Sequence, residues 1–236
     1  MPKTQLTRED VLAAAARLVV RHGPQTLTMR RLAAELDTAV TSIYWHVGNR
    51  EALLDALVER TVREMGALSP RGRTPVDRVV SVARALRREL RARPHLIAMV
   101  HERGLTERMF LPAQQSLVRE VHAAGLRGAR AAQAVRAVQY QVVGHVLVER
   151  NRERSPVQSP DGSDLWSAGR SGGLRQDRGA EDDPALARAL ARPADPERLF
   201  ALSVRALAGA LLAGASAAKG TGPAGKRAAR TADLAE

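Results

Sequence analysis

The sequence predicts an all-α chain. Apolar residues recur at three- and four-residue spacing through nearly every stretch between Gly and Pro breaks. Thr7, Thr28 and Asn49 stand where helix N-caps belong. No run alternates apolar and polar residues as a half-buried strand does, and no internal repeat is visible.

The elements follow in order. Thr7 opens "TRED", a capping-box-like start with Asp10 in the acidic position. Val11, Leu12, Ala15, Leu18 and Val19 then form the buried face of a first helix, which Gly23-Pro24 ends. Thr28 caps a second, "MRRLAAEL". Asp37-Thr38-Ala39 breaks it, and a third short helix runs from about Val40 to His46. "GN" ends that one, and Asn49 caps a fourth from Arg50 to about Met65, with Glu51 in its first turn where a negative charge suits the helix dipole. "SPRGRTP" (69–75) reads as a linker. Beyond it, helices are expected over about 75–92, 94–103, 106–124 and 128–152, the last with Val135, Val138, Val142 and Val146 on one face. Residues 153–183 are rich in Ser, Gly, Asp and Pro and read as a flexible insert. A short helix over 184–192 and a long one over 195–218 follow, the second with Leu199, Leu202, Ala206, Ala210 and Ala213 as its apolar stripe. The Gly-, Ala- and Arg-rich segment 219–236 reads as a disordered tail. The expected organisation is two domains, 1–66 and 67–218.

The net charge is +12, which suggests a negatively charged partner. Its distribution qualifies that. Residues 1–66 carry 9 basic and 8 acidic groups, whereas 67–150 carry 15 and 6. Net charge therefore does not locate a nucleic-acid site. Absence of cysteine excludes disulfides, thiolate catalysis and Cys-based zinc sites. The polar start "MPKTQLTRED" has no signal-peptide core, and the apolar run Ala206–Ala218 is shorter than the ~17–25 residues of a membrane span. A cytoplasmic protein with no membrane association is expected.

The second and third helices, joined by a three-residue break, match a helix-turn-helix pattern. Leu32, Ala33, Leu36, Ile43 and Val47 would point inward. Arg30, Val40, Thr41, Ser42, Tyr44 and His46 would point outward. Hydroxyls and cations can meet phosphates, Arg can read guanine, and an exposed aromatic can lie on a thymine methyl. The amides that open the fourth helix, with Arg50, could hold a phosphate. Spacing alone leaves open whether Tyr44 and Trp45 are core residues with wet tips.

"TLTMRRLAAEL…SIYWHVGNREALLDAL" resembles the DNA-binding domain of TetR-family transcriptional regulators, close to the tetracycline repressor branch, over about residues 7–65. The resemblance implies a homodimer whose two recognition helices enter successive major grooves of a palindromic double-stranded operator. It places Arg30, Val40, Thr41 and Tyr44 at base- or methyl-contacting positions. Thr28, Ser42, His46 and Arg50 fall at phosphate-contacting positions, and Trp45 looks like the packed anchor beside them, itself a DNA-binding candidate through contact with the backbone. Val40-Thr41 departs from the Gln-Pro of the tetracycline repressors. Val cannot make the bidentate bonds of Gln, so a different operator step, with a thymine methyl under Val40, is expected.

The resemblance extends weakly into 67–218, through "MVHERG", "AVQYQVVGHVLVERNRE" and "PALARAL…LFALSVRALAGALLAG". It implies a ligand-binding core and a four-helix dimer bundle built from about 128–152 and 195–218, with Ala206, Ala210 and Gly214 allowing close approach. His101 matches the magnesium-binding histidine of the tetracycline branch. The surrounding positions do not: Gly66 or a neighbour, the stretch Ser81 to Leu86, and Val148 beside Glu149 replace its other contacts. A magnesium–tetracycline site is not expected, nor any resident metal or cofactor. His101, Phe110, Gln114, Tyr140 and His145 are the candidate contacts for an apolar or amphipathic effector, with His95, Gln115 and Gln139 nearby candidates.

Two rival functions remain. An enzyme would need a constellation such as His145 and Glu149 facing His101-Glu102, but no HExxH, phosphate loop or nucleophile elbow is present. A DNA-binding or architectural protein without a small-molecule ligand would use the same first 66 residues and the basic middle region as a non-specific surface.

Overall fold

A computed structural model describes residues 6–154, 184–190 and 194–217. All regular structure among them is helical. Helices α1 (Arg8–His22), α2 (Met29–Glu35), α3 (Val40–Val47) and α4 (Arg50–Met65) follow one another, with a 3-10 turn at Pro24–Thr26. Then come α5 (Pro75–Ala92), α6 (Pro94–Arg103), α7 (Thr106–Met109), α8 (Leu111–Ala123), α9 (Gly128–Arg154), α10 (Pro184–Leu190) and α11 (Pro196–Ala217).

The starts are chemically specified. Thr7 accepts from the Asp10 amide while Asp10 accepts from the Thr7 amide, a complete capping box. Those bonds from Thr7 hold the Asp10 carboxyl below its ordinary range. Thr74 and Asp77 repeat the device at α5. Thr28 caps α2 through the Arg31 amide, and Asn49 caps α4 through the Ala52 amide at 2.8 Å. Gly48, at φ +71°, occupies the left-handed region that lets α4 turn away at once from α3.

The expected helix over 106–124 is two helices. Pro112 in the first turn of α8 has no N–H to donate and its ring crowds the turn before it, so the chain must restart there. The stretch 69–75 is also anchored, at Leu68 just before it and at Arg71 within it. The Leu68 amide donates to the Pro112 carbonyl, the Ser116 hydroxyl donates to Leu68 O at 2.6 Å, and the Arg71 amide donates to Ser81. The expected insert falls largely outside the described residues (155–183), and the expected tail wholly so (219–236).

Helices α1, α2 and α3 pack on one another, and α1 and α3 also pack on α4, which in turn packs on α6, α7 and α8. Beyond α4, α5 lies against α8, α9 and α11, and α9 against α8 and α11. Val11, Leu32, Ile43 and Leu53 at one end, and Leu86, Val142, Phe200 and Val204 at the other, belong to one continuous body of buried residues. Helix α4 is thus common to both packing groups.

Candidate nucleic-acid interface and ligand cavities

Ile43 and Val47, four residues apart, are the buried stripe of α3. Opposite them Thr41, Tyr44 and Trp45 are exposed, while Val40, Ser42 and His46 are half-buried at the flanks. Val40 packs partly against the core, so less of it faces outward than expected. Trp45 corrects the sequence reading more sharply. It was expected as a packed anchor, yet it is 90 % exposed. Two residues from Ile43 and two from Val47, it lies on the far side of the helix from both. Tyr44 is 49 % exposed. No side chain caps the start of α3, whose N-cap is Ala39. Thr28 caps α2 and is exposed, and Arg30 is exposed with no ion pair among the described residues.

Arg50 is the second correction. Its guanidinium is committed within the molecule rather than left for a phosphate. Nε donates to Leu27 O at 2.9 Å, one terminal nitrogen to Pro24 O at 3.1 Å, and the other to Glu102 of α6 at 2.6 Å. Nothing local in the chain signals this, because the carboxylate partner lies 52 positions away. Two further ion pairs join the same faces. Asp55 of α4 accepts from Arg103 of α6 at 2.7 Å, and Glu59 of α4 pairs with Arg108 of α7. A charged seam therefore ties the helix beneath the recognition helix to α6 and α7.

The expected effector contacts do not converge. Gln114 lines a cavity of about 320 Å³ between α8 and α9, with Val118, His122, Val135, Arg136 and Gln139. Tyr140 and His145 line a different one of about 330 Å³ on the α9–α11 face, with Gln141, Val148 and Leu199. Phe110 lines neither; it is buried and meets the Tyr140 ring with centroids 6.2 Å apart. The His101 side chain lies outside the described ones. His145 Nε2 is 2.8 Å from Ser203 Oγ and 3.1 Å from Gln141 Nε2, with its ring edge-on to Phe200. Burial lowers the His145 pKa, opposed by nearby Glu149. The enzyme constellation considered from the sequence needs Glu149 beside His145. Glu149 is instead bound to Arg87 at 3.0 Å and to Arg91 at 3.3 Å. Among the described residues no three His, Asp or Glu side chains gather as a metal site.

Arg87 is the residue the sequence reading missed. It is almost fully buried, sits 4.8 Å from the Phe200 ring centroid, and bonds Glu149 and Glu197. Burial works against its charge, but the two carboxylates more than offset that and raise its pKa.

Fold and site together define a helix-turn-helix protein with an uncovered recognition helix tied to a helical core that holds cavities. Comparison with known proteins agrees. The family described as "Bacterial regulatory proteins, tetR family" matches residues 11–57. The class G tetracycline repressor of Vibrio anguillarum is 32 % identical over 167 residues, covering 69 % of this chain and 77 % of that protein. An HTH-type transcriptional regulator of Saccharopolyspora erythraea is 31 % identical over 147 residues, which span 62 % of its length. The apo structure of ActR from Streptomyces coelicolor superposes with a TM-score of 0.68 at 27 % identity, over 91 % of this chain and 99 % of that one. ActR in complex with actinorhodin gives 0.67 at the same identity. The chain belongs to the TetR family of transcriptional regulators. No helix of the described residues is long and apolar enough to cross a membrane.

Proposed function

We propose that this regulator is a repressor that binds a palindromic DNA operator as a homodimer and is released by a small-molecule inducer. In this reading residues 1–66 are the DNA-binding domain and 67–218 the ligand-binding and dimerisation domain. The observation that carries it is the Tyr44–Trp45 pair, two large rings left in solvent on a short helix whose other face is buried. A monomer gains nothing from exposing them; a major groove offers methyls, sugars and base edges. Thr41, Arg30 and the uncapped start of α3 complete a surface for bases and phosphates, with Thr28, Ser42 and His46 at its margin.

A second copy is the partner for the α9–α11 face. Tyr140, Leu147, Val148, Leu199 and Leu202 are exposed there. Contiguous exposed apolar side chains on two long helices suit the self-complementary patch of a two-fold dimer. Ala206 and Ala210 are exposed on the same α11, and Gly214 lies beyond the described side chains.

The inducer acts through the seam. A ligand shifts an equilibrium only by its differential affinity for two conformations. Helix α6 leads from the core to Glu102 and Arg103, whose partners Arg50 and Asp55 lie on α4. A ligand that displaces α6 therefore displaces α4 and changes the distance between the two reading heads of a dimer. The complex of ActR with actinorhodin supports a small-molecule effector.

The test is footprinting of DNA flanking the coding region, with a salt series and excess unrelated DNA. Protection of a short palindrome that survives competitor is expected. Uniform weak binding, lost steeply with salt, would instead favour the ligand-free architectural reading.

A further inference from the structure

We propose that the α8–α9 cavity takes a compact, neutral apolar molecule that presents a carbonyl oxygen to the amide nitrogen of Gln139. The proposal rests on the effector-responsive reading above and names the chemistry of the effector.

Gln139 is 3 % exposed, and its Nε2 is a buried side-chain donor with no hydrogen-bond partner among the described residues. Buried polar groups are nearly always bonded, and one that is not calls for an explanation in function. This one lies in the wall of a cavity of about 320 Å³, within the range of small-molecule sites. Val118 and Val135 make that wall apolar on either side. The charged and ionisable groups, Glu107, His122 and Arg136, are exposed at its margin. A ligand that satisfies the donor must bring an acceptor. One that also suits the apolar wall must keep that acceptor on a hydrophobic body. Burying an unpaired anion against that apolar wall is costly, which leaves a neutral carbonyl.

The α9–α11 cavity has no such demand. His145 is already bonded to Ser203 and lies beside Gln141, and Glu149 is held by Arg87 and Arg91. It also lies on the face assigned above to a second copy. The unmet donor therefore distinguishes two cavities of nearly equal volume.

The experiment uses the full chain and a matched pair of probes, 9-fluorenone and fluorene. They share one tricyclic skeleton and differ in a single carbonyl oxygen. Binding of each is measured by equilibrium dialysis to the natural protein and to Gln139→Leu. The preference for fluorenone over fluorene is expected to fall about tenfold in the variant, the scale of leaving one buried donor unmet. Fluorene itself should bind the variant at least as well. Gln139→Met, unbranched and without the amide, reads the same difference should the Leu variant fail to fold. An unchanged preference, or no binding of either probe, overturns the proposal. Operator release is scored separately. Gln139-dependent fluorenone binding that leaves the protein on its operator upholds this site and sinks the inducer reading.

Discussion

The recognition helix and the helical core put their unusual residues on opposite sides of the protein surface. Around α3 the apolar rings face out and the polar groups are ordinary: a threonine cap, an asparagine cap, and an arginine tied to backbone carbonyls. Around α5, α9 and α11 the apolar residues are inside, and charge is buried among them. Arg87 and Glu149 are 8 % and 7 % exposed. The first arrangement leaves a surface incomplete until another molecule covers it. The second is complete in charge but incomplete in volume, since it keeps a cavity and one unmet donor. On the function proposed above, one region would recognise through what it displays, the other through what it lacks.

The largest expected effect breaks the core side of that contrast. Glu149→Leu leaves Arg87 buried with only Glu197, which is itself 59 % exposed. A loss of about 3–5 kcal/mol in urea unfolding is expected, because an uncompensated buried charge is costly. Arg87→Met with Glu149→Leu should recover most of it, since two apolar side chains of similar volume need no partner. A single variant that loses less than about 1 kcal/mol would place the pair with ordinary surface bridges. Operator affinity at temperatures where both fold should hardly change.

The same contrast explains what the sequence disclosed. Helix boundaries, caps and the Ile43–Val47 stripe are local, written in spacings of three and four, so they were legible. Trp45 was legible too, since it stands two places from each buried neighbour. The packed-anchor role came from the family resemblance, which carries no information on the exposure of this side chain. The break at Pro112 was equally visible, yet the apolar period carried the eye across it. Arg50 and Arg87 were not legible, because their partners lie 52 and 62 positions away and only the fold unites them. Nor was either cavity. A cavity is the remainder after packing, and no motif encodes a remainder. The Gln139 donor is likewise legible only in the fold, which buries it without a partner among the described residues.

A smaller effect sharpens the display side. Tyr44→Ala and Trp45→Ala should each cost about 1–3 kcal/mol of operator binding, the scale of one base-edge contact. Neither should shift stability by more than about 0.5 kcal/mol, since both rings are exposed in the free protein. Gel-shift titration beside thermal melting separates the two readouts. A loss of melting temperature with unchanged affinity would mean that the rings support the fold and read nothing.

The smallest effect concerns protons, and it joins the two halves of the contrast at His145. That side chain is in the core group, yet it faces the exposed α9–α11 surface, with Glu149 raising its pKa, Arg87 lowering it, and burial lowering it most. Its folded pKa lies below the ordinary 6.5. The unfolded chain therefore takes up its proton first as the solution is acidified. Stability is full above about 6.5, falls as pH drops from there toward the folded pKa, and is flat below it. The capping carboxylates do not confuse the window. Asp10 and Asp77 are held below 3.8, chiefly by their threonine partners, so their share is lost only in stronger acid. Urea unfolding between about pH 7.5 and about pH 5 should thus show a decline that His145→Gln reduces, since Gln keeps a hydrogen bond to Ser203 and takes no proton. An equal decline in the variant would assign the acid sensitivity elsewhere. A decline that is larger at high protein concentration, where a dimer would be populated, would tie it to association, because further burial by a second copy depresses the same group further.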